Sequence, residues 1–381
     1  MNPITIEYPK KLVFGNGVFD LFVEDLIARG FKKVFIVTIP EILDEVEKRV
    51  AKLKRYKVEA IVDTSIRTEP TFESFTKVLH HAREHQVDSV AGIGGGSSLD
   101  VAKLVAAQLE NDQSIVEILG IKNLKRRTTY LACLPTTAGT GSEVSPNAIL
   151  LDESDNLKKG VVSPFLVPDA AYVDPLLTLT VPPTVTAATG LDALTHCIEA
   201  YANKFAHPMI DLYALEGIRL ISAHLERAVK DGSDVIAREK LALGSLYGGL
   251  CLGPVNTAAV HALSYPLGGS FHIPHGLSNA VLLPYVMKFN LEMVPERYAN
   301  IALALGIQSQ GKTKEIALAG VEKVKYLLRN TNVPLRLSEL NIPRNAIPIM
   351  AEGALKVTRL LKNNLRKISL QDAIEIYEKA Y

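Results

Sequence analysis

The sequence predicts two halves: a mostly parallel, Rossmann-like α/β sheet covered by helices on both faces, then an all-helical region. Three observations predict this. Up to about residue 180, short apolar runs alternate with amphipathic stretches. Beyond it, the hydrophobic period is helical and no convincing strand remains. Two glycine- and hydroxyl-rich turns follow strands in the first half, where open α/β sheets bind ligands. A chain of 381 residues suits two domains at roughly 150 residues each, and the division falls at 182/183.

The elements follow in order. FKKVFIVT (31–38) reads as a strand because β-branched residues cluster after Gly30. Residues 41–54 have helical spacing, 57–63 read as a second strand, and 72–85 as a helix. DSVAGIG (88–94) is a third strand, leading into a helix over about 98–109. TYLACLP (129–135) is a fourth strand, with further strands near 145–151 and 169–173. Pro182 and Pro183, favourable in a first turn, open the first helix of the second half.

Composition excludes several functions. Lys+Arg 42 against Asp+Glu 41 leaves a net charge of +1, which argues against a nucleic-acid binder held by a broad basic face. At 48% hydrophobic and 22% charged the chain is globular. Three scattered cysteines, Cys133, Cys197 and Cys251, suggest no disulfide framework and a reducing compartment. No run of eighteen apolar residues predicts a membrane span, and the N-terminus lacks a signal-peptide pattern. A cytoplasmic location is therefore expected. Residues 241–287 carry no Asp, Glu, Lys or Arg, where about ten would be average. That stretch holds His261, His272 and His275, and imidazoles in a charge-free interior need partners.

Gly94-Gly95-Gly96-Ser97 leaves a strand and opens a helix. Without Cβ atoms the backbone can bring its N–H groups close to a phosphate, and the helix dipole favours the anion. Asp100 lies in the first turn. Pro135-Thr136-Thr137-Ala138-Gly139-Thr140-Gly141-Ser142 also follows a strand, so both turns point to one phosphate-bearing ligand. In the helical half Asp192 and His196 are spaced i, i+4 on a mostly apolar helix, and both side chains leave one face. His261 and His275 come from separate elements. One carboxylate and three imidazoles suit a first-row divalent ion, a Lewis acid able to lower the pKa of an alcohol.

These motifs closely resemble the iron-containing, or group III, alcohol dehydrogenase family. The resemblance spans nearly the whole chain: Leu12-Val13-Phe14-Gly15-Asn16-Gly17, the GGGSS turn, PTTAGTGSEV (135–144), TGLDALTH (189–196), and HALSYPLGG followed by HIPHG (261–276). It implies a dehydroquinate synthase-like architecture, a dinucleotide-binding α/β domain over 1–182 and a helical metal-binding and substrate domain over 183–381, with the active site in the cleft between them. It implies metal ligands at Asp192, His196, His261 and His275. Cofactor contacts follow at Gly94, Gly95, Gly96, Ser97, Asp100, Thr136, Thr137, Thr140, Ser142, Asn147 and Lys158.

The implied activity is hydride transfer between a small alcohol, or its aldehyde, and NAD or NADP. Fe(2+) is the expected ion, with Zn(2+) as the alternative, and a homo-oligomer, dimer or larger, is expected. The chain departs from the family pattern twice. Tyr265 stands where many members carry a further histidine, which makes His272 the candidate for moving the proton. Thr38-Ile39-Pro40 places no acidic residue after the first βα strand, which leaves NADP open. Rival readings are a hydroxy-acid dehydrogenase or oxo-acid reductase of the same family, a dehydroquinate-synthase-type lyase, and an inactive nucleotide-binding protein.

Overall fold

The structure is a computed structural model describing residues 3–154, 157–308 and 310–381. Contacts divide it into two compact units. One comprises Glu7–Thr137 and Ser142–Thr178; the other comprises Leu179–Tyr381 with Ala138–Gly141 and the N-terminal tip.

The first unit is built on strands β1 (Lys11–Phe14), β2 (Lys33–Val37), β3 (Glu59–Asp63), β4 (Ser89–Gly94), β5 (Gly120–Ile121), β6 (Tyr130–Pro135), β7 (Asn147–Asp152), β8 (Leu157–Val162) and β9 (Ala170–Val173). Six form a parallel sheet in the order β1-β9-β6-β4-β2-β3. Its helices are α1 (Phe19–Arg29), α2 (Leu43–Val50), α3 (Phe72–Glu84), α4 (Gly96–Gln108) and the single turn α5 (Ile115–Ile118).

A parallel sheet buried on both faces needs continuous apolar strands, and KVFIV in β2 shows why. Phe35 and Val37 point into the core that also holds Phe75, Leu99 and Leu104. Val34 and Ile36 point the other way, towards Phe19, Phe22 and Leu53. Close packing of α4 on β4 depends on Gly92, where a Cβ would stand 2.9 Å from Ala102 Cβ. The register pairs Gly94 with Pro135, so both glycine-bearing turns leave the sheet at the same end.

The strands foreseen in the sequence lie within a residue or two of expectation, but other parts differ, and α1, α5 and β5 had no counterpart in the sequence reading. Residues 41–54 form a 3-10 turn, α2 and a second 3-10 stretch in place of one helix. Strand β1 had no periodic signal in four residues. Strand β8, LKKGVV, also went unforeseen, because two lysines and a glycine mask it. It pairs antiparallel with β7 and parallel with β5 in a separate three-stranded sheet.

The second unit is helical: α6 (Pro183–Tyr201), α7 (Pro208–Lys230), α8 (Val235–Leu252), α9 (Ala259–Phe271), α10 (His275–Asn290), α11 (Pro295–Ala304), α12 (Thr313–Asn330), α13 (Ile347–Leu355), α14 (Thr358–Leu361) and α15 (Leu370–Ala380). Helix α6 starts on Pro183, as expected of a first-turn proline. The uncharged stretch 241–287 supplies most of α8, all of α9 and most of α10, and their residues are largely buried. Pro266 and Pro284 lie inside helices without ending them. Among the described residues no helix is long and apolar enough to cross a membrane.

Candidate metal centre and glycine-rich turn

Helices α6, α9 and α10 bring Asp192, His196, His261 and His275 together. Asp192 and His196 lie one turn apart on α6, both almost fully buried. His261 is in the first turn of α9, and His275 is the first residue of α10. From Asp192 Oδ1, the Nε2 atoms of His261, His196 and His275 stand at 3.7, 3.8 and 3.9 Å. Asp192, His261 and His275 form the tightest group, with ligand atoms all within 4.8 Å of one another. His196 joins from the side, its ring stacked on His261 with centroids 4.9 Å apart.

These separations are too long for direct hydrogen bonds and match donors sharing one cation, each at roughly 2.1 Å from it. Protonation also suits an ion. Burial favours a neutral Asp192, but His196, His275, His261 and the hydrogen bond from Asn279 together hold its pKa below the usual value. Burial lowers the pKa of His196 against the pull of Asp192, favouring the neutral ring that keeps a lone pair. His196 Nε2 is the atom that faces Asp192. His275, 35% exposed in its side chain, is the most open of the four.

Two supporting residues escaped the sequence reading. His261 Nδ1 donates to Glu199 Oε2 at 2.6 Å, and Glu199 Oε1 accepts the Val260 N–H at 2.6 Å. The carboxylate therefore fixes the tautomer of His261 and leaves Nε2 for a ligand. Glu199 lies seven residues after Asp192 and three after His196, continuing their stripe along α6. A third polar residue at that spacing was the signal. Asn279, one turn beyond His275, donates to Asp192 Oδ1 at 2.7 Å; an uncharged amide gives no such signal.

His272 is the C-cap of α9, in left-handed backbone (φ 54°), with an exposed side chain. Tyr265, one turn after His261, meets the His275 ring edge-on at 6.3 Å between centroids.

In the sheet unit, Gly95 is the N-cap of α4 and no side chain caps that end. The first N–H groups of α4 are therefore open to an anion. A Cβ at Gly94 would fall 2.6 Å from Ser98 Oγ, so this glycine is sterically required. Ser98 Oγ and Asn147 Oδ1 are buried without partners among the described residues. Thr136 is buried, and its N–H bonds Gly94 O, tying the second turn to the first. Thr137 packs on Gly95, while Ser97 and Gly96 lie at the start of α4. Thr140 belongs to the short segment that joins the helical unit.

Because α4 begins at Gly96, two residues earlier than expected, Asp100 lies beyond its first turn and faces the 142–149 segment instead. It accepts from Ser142 Oγ and from the Ile149 N–H. Lys103, one turn further and fully buried, donates to Ser142 O, Ser145 Oγ and Asn147 O. Together they clamp the 142–149 segment onto α4. Lys103 was also missed, although a lone lysine in the apolar run LDVAKLVAAQ was a legible signal. Lys158 is buried and paired with Glu69 at 2.5 Å, so its ammonium already has a carboxylate.

The carboxylate-and-imidazole cluster of the helical unit can hold a divalent ion, and the uncapped N-terminus of α4 in the sheet unit can take an anion. Comparison with known proteins supplies the family. The family model for iron-containing alcohol dehydrogenase matches residues 9–175, and that for the Fe-containing alcohol dehydrogenase family, C-terminal, matches residues 186–381. Long-chain-alcohol dehydrogenase 1 of Geobacillus thermodenitrificans is 38% identical over 100% of this chain and 98% of its own. The crystal structure of a 1,3-propanediol oxidoreductase superposes with a TM-score of 0.96 at 32% identity, covering 100% of both chains. Sulfoacetaldehyde reductase from Bifidobacterium kashiwanohense, solved in complex with NAD+, gives a TM-score of 0.89 at 27% identity over 100% of this chain and 99% of that one. The chain belongs to the iron-containing alcohol dehydrogenase family and is an oxidoreductase.

Proposed function

We propose that this protein transfers a hydride between a small alcohol, or its aldehyde, and NAD or NADP, with a divalent ion held by Asp192, His196, His261 and His275. The observation that carries the reading is the convergence of three imidazole Nε2 atoms at 3.7–3.9 Å from Asp192 Oδ1. Fe(2+) is the ion of choice from the family, and Zn(2+) suits the same donors. The ion supplies Lewis acidity, polarising the substrate oxygen.

The chain's own residues do the rest. Glu199 keeps His261 in the ligating tautomer, and burial keeps His196 neutral. The open N–H groups of α4, with Gly94, Gly95, Gly96 and Ser97, hold the pyrophosphate. Thr136, Thr137, Thr140, Ser142 and Asn147 belong to the same cofactor site, with Asp100 and Lys103 fixing its wall. Lys158 joins the cofactor site only by leaving Glu69. His272, exposed and three residues before His275, is the proposed group that passes the proton to solvent. The domain reading of 1–182 for cofactor and 183–381 for metal and substrate, a homo-oligomeric state and a cytoplasmic location complete the proposal. The nicotinamide of the sulfoacetaldehyde reductase complex supports NAD; the lack of an acidic residue at Thr38-Ile39-Pro40 keeps NADP in the comparison.

The test is absorbance of reduced nicotinamide with a panel of alcohols and aldehydes against NAD and NADP, after separate reconstitution with iron and zinc. Turnover with a neutral alcohol or aldehyde supports the assignment. Metal-loaded protein that binds cofactor but shows no net reduction or oxidation across the panel overturns it.

A further inference from the structure

We propose that Asn279 is a positioning residue that shares its lone-pair partners with the ion, and that its carboxamide turns over when the ion binds. The inference rests on the metal reading of Asp192, His261 and His275. Asn279 is fully buried on α10, one turn after His275. Its Nδ2 lies 2.7 Å from Asp192 Oδ1, 3.1 Å from His261 Nε2 and 3.2 Å from His275 Nε2. These are the same residues that form the tightest candidate ligand group. The Glu199 contact puts the His261 proton on Nδ1, so Nε2 is an acceptor facing the amide. One NH2 group with two hydrogens thus faces the Asp192 carboxylate, the His261 lone pair and the His275 Nε2 atom, while the Oδ1 of the same side chain is buried with no partner among the described residues.

A lone pair can serve an amide hydrogen or a cation, not both. A cation drawing on Asp192, His261 and His275 would take the acceptors from Nδ2 and face its positively polarised hydrogens. A half turn about the Cβ–Cγ bond exchanges nitrogen for oxygen with almost no change in shape. That turn gives the orphan Oδ1 a positive charge to face and moves the hydrogens away from it. A buried amide whose nitrogen is crowded by ligand atoms and whose oxygen meets no donor among the described residues is poised for this exchange. With its nitrogen inward, the side chain keeps the three ligand atoms spread, which prepares the cage for the ion.

The experiment uses the whole protein, stripped with a chelator and titrated with Zn2+, which is diamagnetic. The side-chain NH2 pair of Asn279 is observed in protein labelled with 15N-asparagine and assigned by its disappearance in Asn279→Ala. The expected result is a shift of that pair complete at one Zn2+ per chain, with faster hydrogen exchange once the acceptors are lost. Asn279→Asp presents only oxygens, so chelator competition should find it binding Zn2+ at least about tenfold tighter than Asn279→Ala. A bound Zn2+ that leaves the NH2 pair unmoved, or an Asn279→Asp affinity no better than that of Asn279→Ala, overturns the proposal and leaves the metal site standing. Failure of the wild-type chain to bind Zn2+ overturns both.

Discussion

Replacing Glu199 by glutamine tests whether the metal cluster depends on a carboxylate that never touches the ion. Glu199 is 5% exposed and accepts two hydrogen bonds of 2.6 Å, from His261 Nδ1 and from the Val260 N–H. Glutamine preserves the shape but offers one carbonyl and one NH2, so one donor must face another donor. A buried donor left unsatisfied costs about 1–3 kcal/mol. If the rearrangement frees the His261 ring to turn or change tautomer, the loss reaches the ion. Partners of this kind are worth roughly 10–100-fold in metal affinity, or about 1.4–2.8 kcal/mol. The assay is competition between the protein and a chromophoric chelator for Zn2+, with Glu216→Gln as the control. Glu216 is half-exposed and pairs with Arg219 at the surface, where such a pair is worth about 0–1 kcal/mol. Equal affinities for Glu199→Gln and wild type would refute the tautomer argument; equal losses in Glu199→Gln and Glu216→Gln would refute its locality.

Four further outcomes are expected. His261→Ala should abolish metal binding and activity while NAD(P) binding, followed by cofactor fluorescence, stays largely intact; parallel loss of cofactor binding would argue against two separate sites. Chelation should lower the melting temperature, because an ion bound only by the native state stabilises it by about 4 kcal/mol at a free concentration a thousandfold above Kd; an unchanged melting curve would count against a native-state ion. Burial pushes the Glu143 carboxyl up to about 7. Its folded pKa exceeds its unfolded one, so the native state binds the extra proton and this group's contribution to stability falls as pH rises from about 4.5 to 7. Glu143→Gln should therefore gain on wild type by a few kcal/mol, on the order of 3, between pH 5 and pH 8 in urea unfolding; a pH-independent difference would contradict the assignment. Gly141 has φ +63° and a Cβ there would meet Gly249 Cα at 2.2 Å, so Gly141→Ala should cost about 3 kcal/mol or more; a loss under about 1 kcal/mol would show that the contact yields easily.

All the parallel strands but β1 were legible because burial on both faces demands unbroken apolar runs, and VFIV and SVAGIG are such runs. Strand β8 was not, because two lysines and a glycine break its apolar pattern, and the lysines are neutralised by Glu69, far off in the sequence, and by Asp152 at the end of β7. Asp192 and His196 stood out through their spacing on an apolar helix. That His261 and His275 reach the same carboxylate oxygen was not a local property, since it depends on how α6, α9 and α10 pack. Glu199 could have been found by extending the same stripe one turn. Asn279 could not, since an amide changes neither charge nor periodicity enough to be noticed. Asp100 was legible only as an early residue of the helix after the glycines, and its partners Ser142 and Ile149 came into view only with the loop folded over it.

The segment Ala138–Gly141 has a consequence for how the chain can be cut and assembled. These four residues are encoded amid the sheet yet belong with the helices, and Gly141 lies against Gly249, more than a hundred positions later. A fragment starting at Leu179 would lack them, and the face of α8 that receives Gly141 would be left uncovered. On the ribosome the same four residues emerge well before their helical neighbours and must wait for α8 to be synthesised. Dissection experiments that aim to isolate the helical half should therefore add this tetrapeptide in trans, or circularly permute the gene.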